Sequence, residues 1–147
     1  MKIYIGSDHA GYELKEKLKE FLGWLGYTVE DKGAFHYDPE DDYPDYISPV
    51  AAAVAQDGGF GIVIGGSGQG EAIDANKVEG VRAAEFYGGP IDIVKLAREH
   101  NDVNILSLGA RFVGEAEAKE AVQLFLETPF SGDERHIRRI NKLEPNA

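Results

Sequence analysis

Cysteine is absent from this chain of 147 residues. Its absence excludes disulfide scaffolds, thiolate zinc sites, iron–sulfur clusters and cysteine nucleophiles, so any chemistry must use oxygen or nitrogen atoms. A hydrophobic content of 43% and a charged content of 28% are typical of one soluble domain, which at this length builds a core without disulfides or structural metal.

Long apolar runs are also missing. No stretch approaches the ~20 apolar residues of a membrane span. The N-terminus turns polar by Glu13 and so lacks the apolar core of a signal peptide. We therefore expect a cytoplasmic protein with no membrane contact.

Basic residues are scarce: the chain has 15 lysines and arginines against 26 aspartates and glutamates, a net charge of −11. Nucleic acid favours a basic protein surface, so we expect no nucleic-acid partner. An anionic substrate would need a local cluster of basic residues in this otherwise acidic protein.

Metal-ligand spacing is missing as well. The four histidines show no pattern such as His-x₃-His, and the acidic loop at 38–45 lacks the alternating acids and the glycine of a calcium site. We expect no required metal.

What the chain does contain is a repeated switch between strand and helix periodicity. The strands are predicted at 3–5, 27–30, 60–64, 81–86 and 104–108. The helices are predicted at 14–25, 46–56, 71–77, 91–99 and 115–126. This alternation predicts one α/β domain over 1–147 with a five-stranded, mostly parallel sheet, whose strand order is not readable.

Ligands of such sheets bind at the carboxyl ends of the strands, in the turns that lead into helices. The glycine-rich turn 65–70 gives the strongest signal, because its four glycines let successive N–H groups converge on an oxyanion or a phosphate. It is not a Walker A loop, since Glu71 stands where a lysine should bind phosphate. The alternative is a tight strand-to-helix turn without a ligand.

Glu71 opens the helix after this turn and has two interpretations. The helix dipole favours a carboxylate there without any function. The functional interpretation is a general base beside a backbone oxyanion site. The dipole lowers the pKa of this carboxyl, whereas a base working near neutrality benefits from a raised pKa, so desolvation under bound substrate would have to oppose the dipole.

Other polar residues also lie at strand or helix ends. Asp8 and His9 follow the first strand, where they either face a cleft or form a helix N-cap with an incidental histidine. His100 closes a helix, a position in which the dipole favours a histidine regardless of function. Tyr43 either lines the cleft or braces its own loop.

The C-terminal segment 131–144 is a basic exception in this acidic chain. Its cations are Arg135, Arg138, Arg139 and Lys142. If the segment is helical, Arg135 and Arg139 share one face, and their guanidinium groups suit a phosphate monoester. The alternative is a solvated cationic tail beside acidic neighbours, Glu134 and Glu144.

Six stretches, which span nearly the whole chain, resemble the type B ribose-5-phosphate isomerases and the wider group that includes galactose-6-phosphate isomerase subunits. They are Gly6-Ser7-Asp8-His9-Ala10-Gly11, Asp42-Tyr43-Pro44-Asp45, Gly65 to Glu71 with Ala75-Asn76-Lys77, Leu96-Ala97-Arg98-Glu99-His100-Asn101, Gly109-Ala110-Arg111, and Arg135-His136-Ile137-Arg138-Arg139. Many members of that family have a cysteine base at the position of Gly65. A second branch has glycine there and glutamate at the position of Glu71, and this chain resembles that branch.

The resemblance implies a Rossmann-like three-layer sandwich that interconverts ribose 5-phosphate and ribulose 5-phosphate through a cis-enediolate. It also implies that no metal, nucleotide or other cofactor takes part. The expected assembly is a homodimer, or a tetramer, with active sites shared between subunits.

The resemblance further implies a set of site residues. The catalytic ones are Glu71, His100, Asp8 and Ser67. Those expected to bind the sugar phosphate are His9, Tyr43, Gly66, Ser67, Gly68, Gln69, Gly70, Asn101, Arg111, Arg135 and Arg139. Glu71 would move the proton between C2 and C1 while the amides of 66–70 hold the enediolate oxygens. His100 would open the furanose ring, Asn101 would bind a sugar hydroxyl, and His9 with the three arginines would hold the phosphate.

Two other functions stay open. A hexose 6-phosphate of the allose or galactose type differs from ribose 5-phosphate by one carbon, and pocket depth is not readable from sequence. A non-catalytic Rossmann-like module would bind a sugar phosphate without turnover. A receiver module would need an acidic residue at the end of the third strand, which here ends in Ile64-Gly65.

Overall fold

Strands and helices alternate along the chain in the computed structural model, which describes residues 1–144. The last three residues of the predicted domain, 145–147, lie outside the described residues. The strands are β1 (Lys2–Ser7), β2 (Thr28–Asp31), β3 (Phe60–Gly65), β4 (Ala83–Phe86) and β5 (Ile105–Gly109). The helices are α1 (Tyr12–Trp24), α2 (Pro44–Asp57), α3 (Gln69–Asn76), α4 (Asp92–Asn101), α5 (Glu115–Glu127) and α6 (Glu134–Asn141).

The five strands form one sheet in the order β2-β1-β3-β5-β4, and every neighbouring pair is parallel. This confirms the predicted α/β class and supplies the strand order. The chain adds β2 on one side of β1 and β3 on the other, so the order reverses between β1 and β3. In open parallel sheets a crevice forms at such a point, beyond the carboxyl ends of the strands.

Two hydrophobic cores cover the two faces of the sheet. On one face, α1, α4 and α5 bury side chains such as Leu18, Val94 and Phe125. On the other face, α2 and α3 bury Val50 and Ala75 among others. The fold therefore has the three layers that the resemblance implied. No helix within residues 1–144 has the length and apolarity needed to cross a membrane.

Several predicted boundaries shift by one or two residues. Helix α3 begins at Gln69 rather than at 71, because Gly68 takes a left-handed φ of 82° and caps the helix there. Helix α2 begins at Pro44 rather than at 46, since proline has no N–H to leave unpaired in a first helical turn. The basic segment forms helix α6, so the condition under which Arg135 and Arg139 share one face is met.

A buried lysine anchors the segment that leads into the acidic loop 37–44. The ammonium group of Lys15, which is fully buried, donates to Asp31 Oδ2 at 2.6 Å and to the carbonyl oxygen of Ala34 at 2.7 Å. Burial alone would raise the pKa of Asp31, but hydrogen bonds from Lys15 and Lys19 hold it below its usual value. These contacts fix residues 31–34, just before the loop 37–44, against α1.

Candidate active site

The carboxyl group of Glu71 lies at the carboxyl end of β3, in the first turn of α3. Glu71 is only 4% exposed. Its carboxylate occupies the place where a Cβ on Gly65 would lie, so the missing side chain at 65 makes room for it. A base on residue 65, as in the cysteine branch, and a base on residue 71 would therefore act at the same point of the cleft.

Burial raises the pKa of Glu71 above its usual value, and the nearby carboxylates of Asp8 and Asp74 act in the same direction. Hydrogen bonds from the N–H groups of Glu71 itself and of Gly68 oppose the shift without cancelling it. The expectation that bound substrate must supply the desolvation was wrong, because the protein itself supplies it. The raised pKa makes Glu71 a stronger base than an exposed glutamate.

The glycine-rich turn 65–70 turns its carbonyl groups into the protein. The carbonyl oxygen of Gly68 accepts from the Ser107 hydroxyl at 2.7 Å, and that of Gly66 accepts from the Arg111 N–H at 3.0 Å. The Ser67 hydroxyl accepts from the Gln69 N–H at 3.2 Å. That the amides of 66–70 face the cleft stays a prediction. Sequence analysis missed Ser107, although a lone hydroxyl within the apolar strand β5 was a usable signal.

Asp8 and His9 lie beside this turn, at the carboxyl end of β1. The carboxylate of Asp8 caps a 3₁₀ turn by accepting from the N–H groups of Ala10 at 3.0 Å and Gly11 at 3.3 Å, which confirms the predicted N-cap by Asp8 but not an incidental His9. His9 is held by Asp41, whose Oδ1 lies 2.7 Å from His9 Nδ1. Asp41 was not among the predicted site residues, since nothing local in the sequence links it to His9.

Asp8, His9 and Asp41 place one potential metal-ligating atom each within 4.8 Å of one another. These groups already form hydrogen bonds within the protein: Asp8 with backbone amides, and His9 with Asp41. The absence of a required metal stays a prediction.

A cavity of about 600 Å³ opens beside His9, and its lining includes Arg111 and Tyr37. The guanidinium group of Arg111 lies next to Gly66, with Nη1 3.0 Å from the place of a Cβ on that glycine. Arg111 and Lys17 bring cationic groups to this cavity, which Glu13 and Glu16 also line.

Tyr43 packs its phenol end directly over Gly70, 2.7 Å from the place of a Cβ on that glycine. A side chain at 70 would collide with the ring. Tyr43 therefore braces the start of α3 and is partly exposed there; that it lines the cleft stays a prediction.

His100 and Asn101 lie at the other end of the sheet. Helix α4 runs back from the carboxyl end of β4 to the amino end of β5, so its last residues lie by the amino ends of the strands. The carbonyl oxygen of Asn101 accepts from Nε of Arg82, the residue just before β4, at 3.0 Å. The ten residues of α4 span roughly 15 Å, which is the separation expected between the two ends.

The basic helix α6 lies at the same end as His100. The ring of His136 stacks on that of His100 with 4.4 Å between centroids, and burial lowers the pKa of His136, with His100 and Arg135 adding to the effect. The guanidinium group of Arg98, buried in α4, donates to the carbonyl oxygen of Thr128 at 3.0 Å and so ties α4 to the end of α5. Arg135 and Arg139 are exposed.

Acidic neighbours only partly neutralise this segment. Arg135 has an ion pair with Asp133, Nε to Oδ2 at 3.4 Å. Glu144 pairs with Arg82 instead, at 2.9 Å. Glu144 therefore does not neutralise the arginines of α6, as the interpretation of a solvated tail assumed.

The predicted site residues fall into two groups. The carboxyl-end group contains Asp8, His9, Tyr43, Gly66, Ser67, Gly68, Gln69, Gly70, Glu71 and Arg111. The amino-end group contains His100, Asn101, Arg135 and Arg139. The fold of one chain separates the two groups by the length of the sheet.

Comparison with known proteins places this geometry in a family. The family described as Ribose/Galactose Isomerase matches residues 3–143. Ribose-5-phosphate isomerase B of Mycobacterium tuberculosis is 46% identical over 144 residues, 97% of this chain and 88% of that protein. A structure of ribose-5-phosphate isomerase B from Clostridium thermocellum superposes with a TM-score of 0.91 at 46% identity, covering 97% of this chain and 95% of the other.

A structure of the Mycoplasma genitalium ribose-5-phosphate isomerase B with bound ribulose-5-phosphate superposes with a TM-score of 0.92. It is 40% identical and covers 97% of this chain and 93% of the other. The family match spans nearly all of the described residues, and the fold and the glycine-rich turn agree with it. The chain belongs to the ribose/galactose isomerase family.

Proposed function

We propose that this protein is an aldose–ketose isomerase that interconverts ribose 5-phosphate and ribulose 5-phosphate without a metal, through a cis-enediolate. The observation that carries the proposal is the buried Glu71 carboxylate, which fills the space left by Gly65 beside the glycine-rich turn. The pentose substrate is supported by the relative from M. tuberculosis and by the ribulose-5-phosphate bound to the M. genitalium enzyme.

The reaction removes a weakly acidic proton from a carbon next to a carbonyl group. Negative charge then develops on the carbonyl oxygen, and preorganised amides of 66–70 would stabilise it. Glu71 would take the proton from C2 and return it to C1, since a carboxylate can reach two adjacent carbons. Ser67, within this turn, and Asp8, at the end of β1, would exchange protons between the two substrate hydroxyls.

The phosphate takes no part in bond making, but its binding positions the reacting carbons against Glu71. His9 and Arg111 share the cavity beside the glycine-rich turn, and we assign the phosphate to that cavity. The guanidinium group of Arg111 and the imidazole of His9 would donate hydrogen bonds to a phosphate at this point of an otherwise acidic surface.

We further propose a homodimer in which each active site combines the carboxyl-end group of one subunit with the amino-end group of the other. The separation of the two groups within one chain supports this arrangement. A two-fold axis would create two equal sites, because each subunit contributes its amino-end group to the site of its partner. The cytoplasmic location stays a prediction.

The proposal is tested by assaying purified protein, dialysed against a chelator, on a panel of pentose and hexose phosphates. We expect turnover of ribose 5-phosphate with the highest kcat/KM and no effect of chelation. Higher kcat/KM on allose or galactose 6-phosphate would reassign the substrate, and saturable binding without turnover would indicate a binding module. Activity that is lost on chelation and restored by zinc or magnesium would contradict the metal-free mechanism.

A second prediction concerns the phosphate contacts of α6. Replacing Arg135 or Arg139 by alanine should raise KM by a factor that corresponds to roughly 1.5–3 kcal/mol, the value of a charge-assisted hydrogen bond. Arg138 is the matched control, since it is also exposed and lies about 100° from Arg139 around the helix. The measurement is KM for ribose 5-phosphate in the three alanine variants. Equal effects at all three positions, or none, would contradict the phosphate assignment.

A further inference from the structure

Asp41 is a buried acid to which the proposed reaction gives no role. Its side chain is 3% exposed although it belongs to the acidic loop 37–44. Its Oδ1 accepts from the backbone N–H of His9 at 3.1 Å and lies 2.7 Å from His9 Nδ1. Its other oxygen, Oδ2, is buried and has no hydrogen-bond partner among residues 1–144.

These contacts determine how the His9 ring is oriented. An ionised carboxylate only accepts hydrogen bonds, so the bond to Asp41 places a hydrogen on Nδ1. The ring of Tyr37 meets the imidazole edge-on, with 6.2 Å between centroids. Two residues of one loop therefore hold the ring, and Nε2 is the polar atom left to meet a ligand.

A phosphate in the cavity that His9 lines would be the hydrogen-bond partner of Nε2. Arg111 lines the same cavity, together with Glu13, Glu16 and Lys17. When a phosphate dianion enters, the imidazole lies between that anion and the Asp41 carboxylate. In this arrangement Nδ1–H would donate to Asp41 and Nε2–H to the phosphate.

We propose that Asp41 is a positioning residue for the phosphate end of the substrate: it holds the His9 ring so that Nε2–H donates to the phosphate. The inference rests on the proposed function, because it takes the cavity beside His9 as the phosphate site. It explains why the acidic loop places a carboxylate behind a histidine in a site for an anion.

The first test separates substrate binding from catalysis. Asp41→Asn keeps the shape of the side chain and removes its charge, and we expect KM for ribose 5-phosphate to rise about tenfold with kcat within about twofold of the wild type. Glu40→Gln, an exposed neighbour that loses the same charge, is the matched control and should leave both constants unchanged. A loss confined to kcat, or an equal effect of Glu40→Gln, would overturn the proposal.

A double-mutant cycle shows whether Asp41 acts through His9. In a His9→Gln background, Asp41→Asn should raise KM by less than about twofold, because the group it positions is gone. If Asp41→Asn has its full effect in that background, Asp41 acts on the loop in general and the proposal is wrong.

The ring itself is observed by ¹⁵N NMR, which does not depend on turnover. In the wild type we expect Nδ1 to be protonated, and inorganic phosphate should shift the Nε2 resonance toward the protonated form. Asp41→Asn should mix the two neutral forms of the ring and weaken the response to phosphate. An unchanged His9 spectrum in Asp41→Asn would reject the proposal, whereas a failed substrate panel with this NMR result intact would reject only the proposed function.

Discussion

Replacing Glu71 by glutamine lowers kcat by at least ~10² while the fold and the binding of sugar phosphate persist. The amide has the shape of the carboxylate and fits the space left by Gly65, but it cannot accept the proton from carbon. Steady-state kinetics with ribose 5-phosphate and a binding titration measure the two effects separately. Turnover near that of the wild type would remove Glu71 from the mechanism.

The same variant should be more stable than the wild type at pH 7. Since burial raises the pKa of Glu71 above its usual 4.5, the ionised form destabilises the folded state. This penalty is absent below the usual pKa and grows as the pH rises through the raised value of the folded state. The melting temperature of Glu71→Gln should therefore exceed that of the wild type at pH 7, and the difference should shrink below about pH 4.5.

Glu120→Gln is the control for this comparison, because Glu120 is exposed on α5. Its melting temperature should follow that of the wild type at every pH. A constant difference between Glu71→Gln and the wild type across the pH range would contradict the role of burial.

Two variants that are each nearly inactive should restore activity when their subunits are mixed. Glu71→Gln disables the carboxyl-end group, and His100→Asn disables the amino-end group at the opposite end of the sheet. In a mixed dimer with shared sites, one site carries both substitutions and the other carries neither. Equal amounts after subunit exchange should reach about a quarter of the wild-type rate, since half of the dimers are mixed and half of their sites are intact.

The control for this mixing experiment pairs two substitutions from the same group. Glu71→Gln mixed with Asp8→Asn leaves no intact site in any dimer, so the rate should not recover. Light scattering at the assay concentration should show a dimer or a larger assembly. A fully active monomer, or no recovery in the first mixture, would contradict the shared site.

Much of the fold follows from local properties of the sequence. The strand periodicity around 3–5 and the buried apolar run at 60–64 depend on side chains within a few positions of one another, and both became strands at the expected places. The glycine-rich turn 65–70 is equally local, because its glycines permit the left-handed backbone that Gly68 adopts before α3, although the predicted start of α3 was two residues late. Glu71 could be placed at the end of the sheet on this basis alone.

Only the tertiary structure decided which distant residues meet. The strand order, and with it the crevice between β1 and β3, depends on which side of the sheet each crossover returns to. Asp41 and His9 are 32 positions apart, and no periodicity relates them. The direction of the Glu71 pKa shift needed the burial of that carboxylate, because helix position alone indicated the opposite direction.

The separation of the two site groups shows the same limit most clearly. The sequence by itself determined that His100 closes a helix and that Arg135 and Arg139 share a helical face, since both facts depend on spacing within one helix. It could not determine that these residues lie at the amino ends of the strands while Glu71 lies at the carboxyl ends. That placement is decided by the packing of whole helices on the sheet, which arises from burial of apolar surface between elements far apart in the chain.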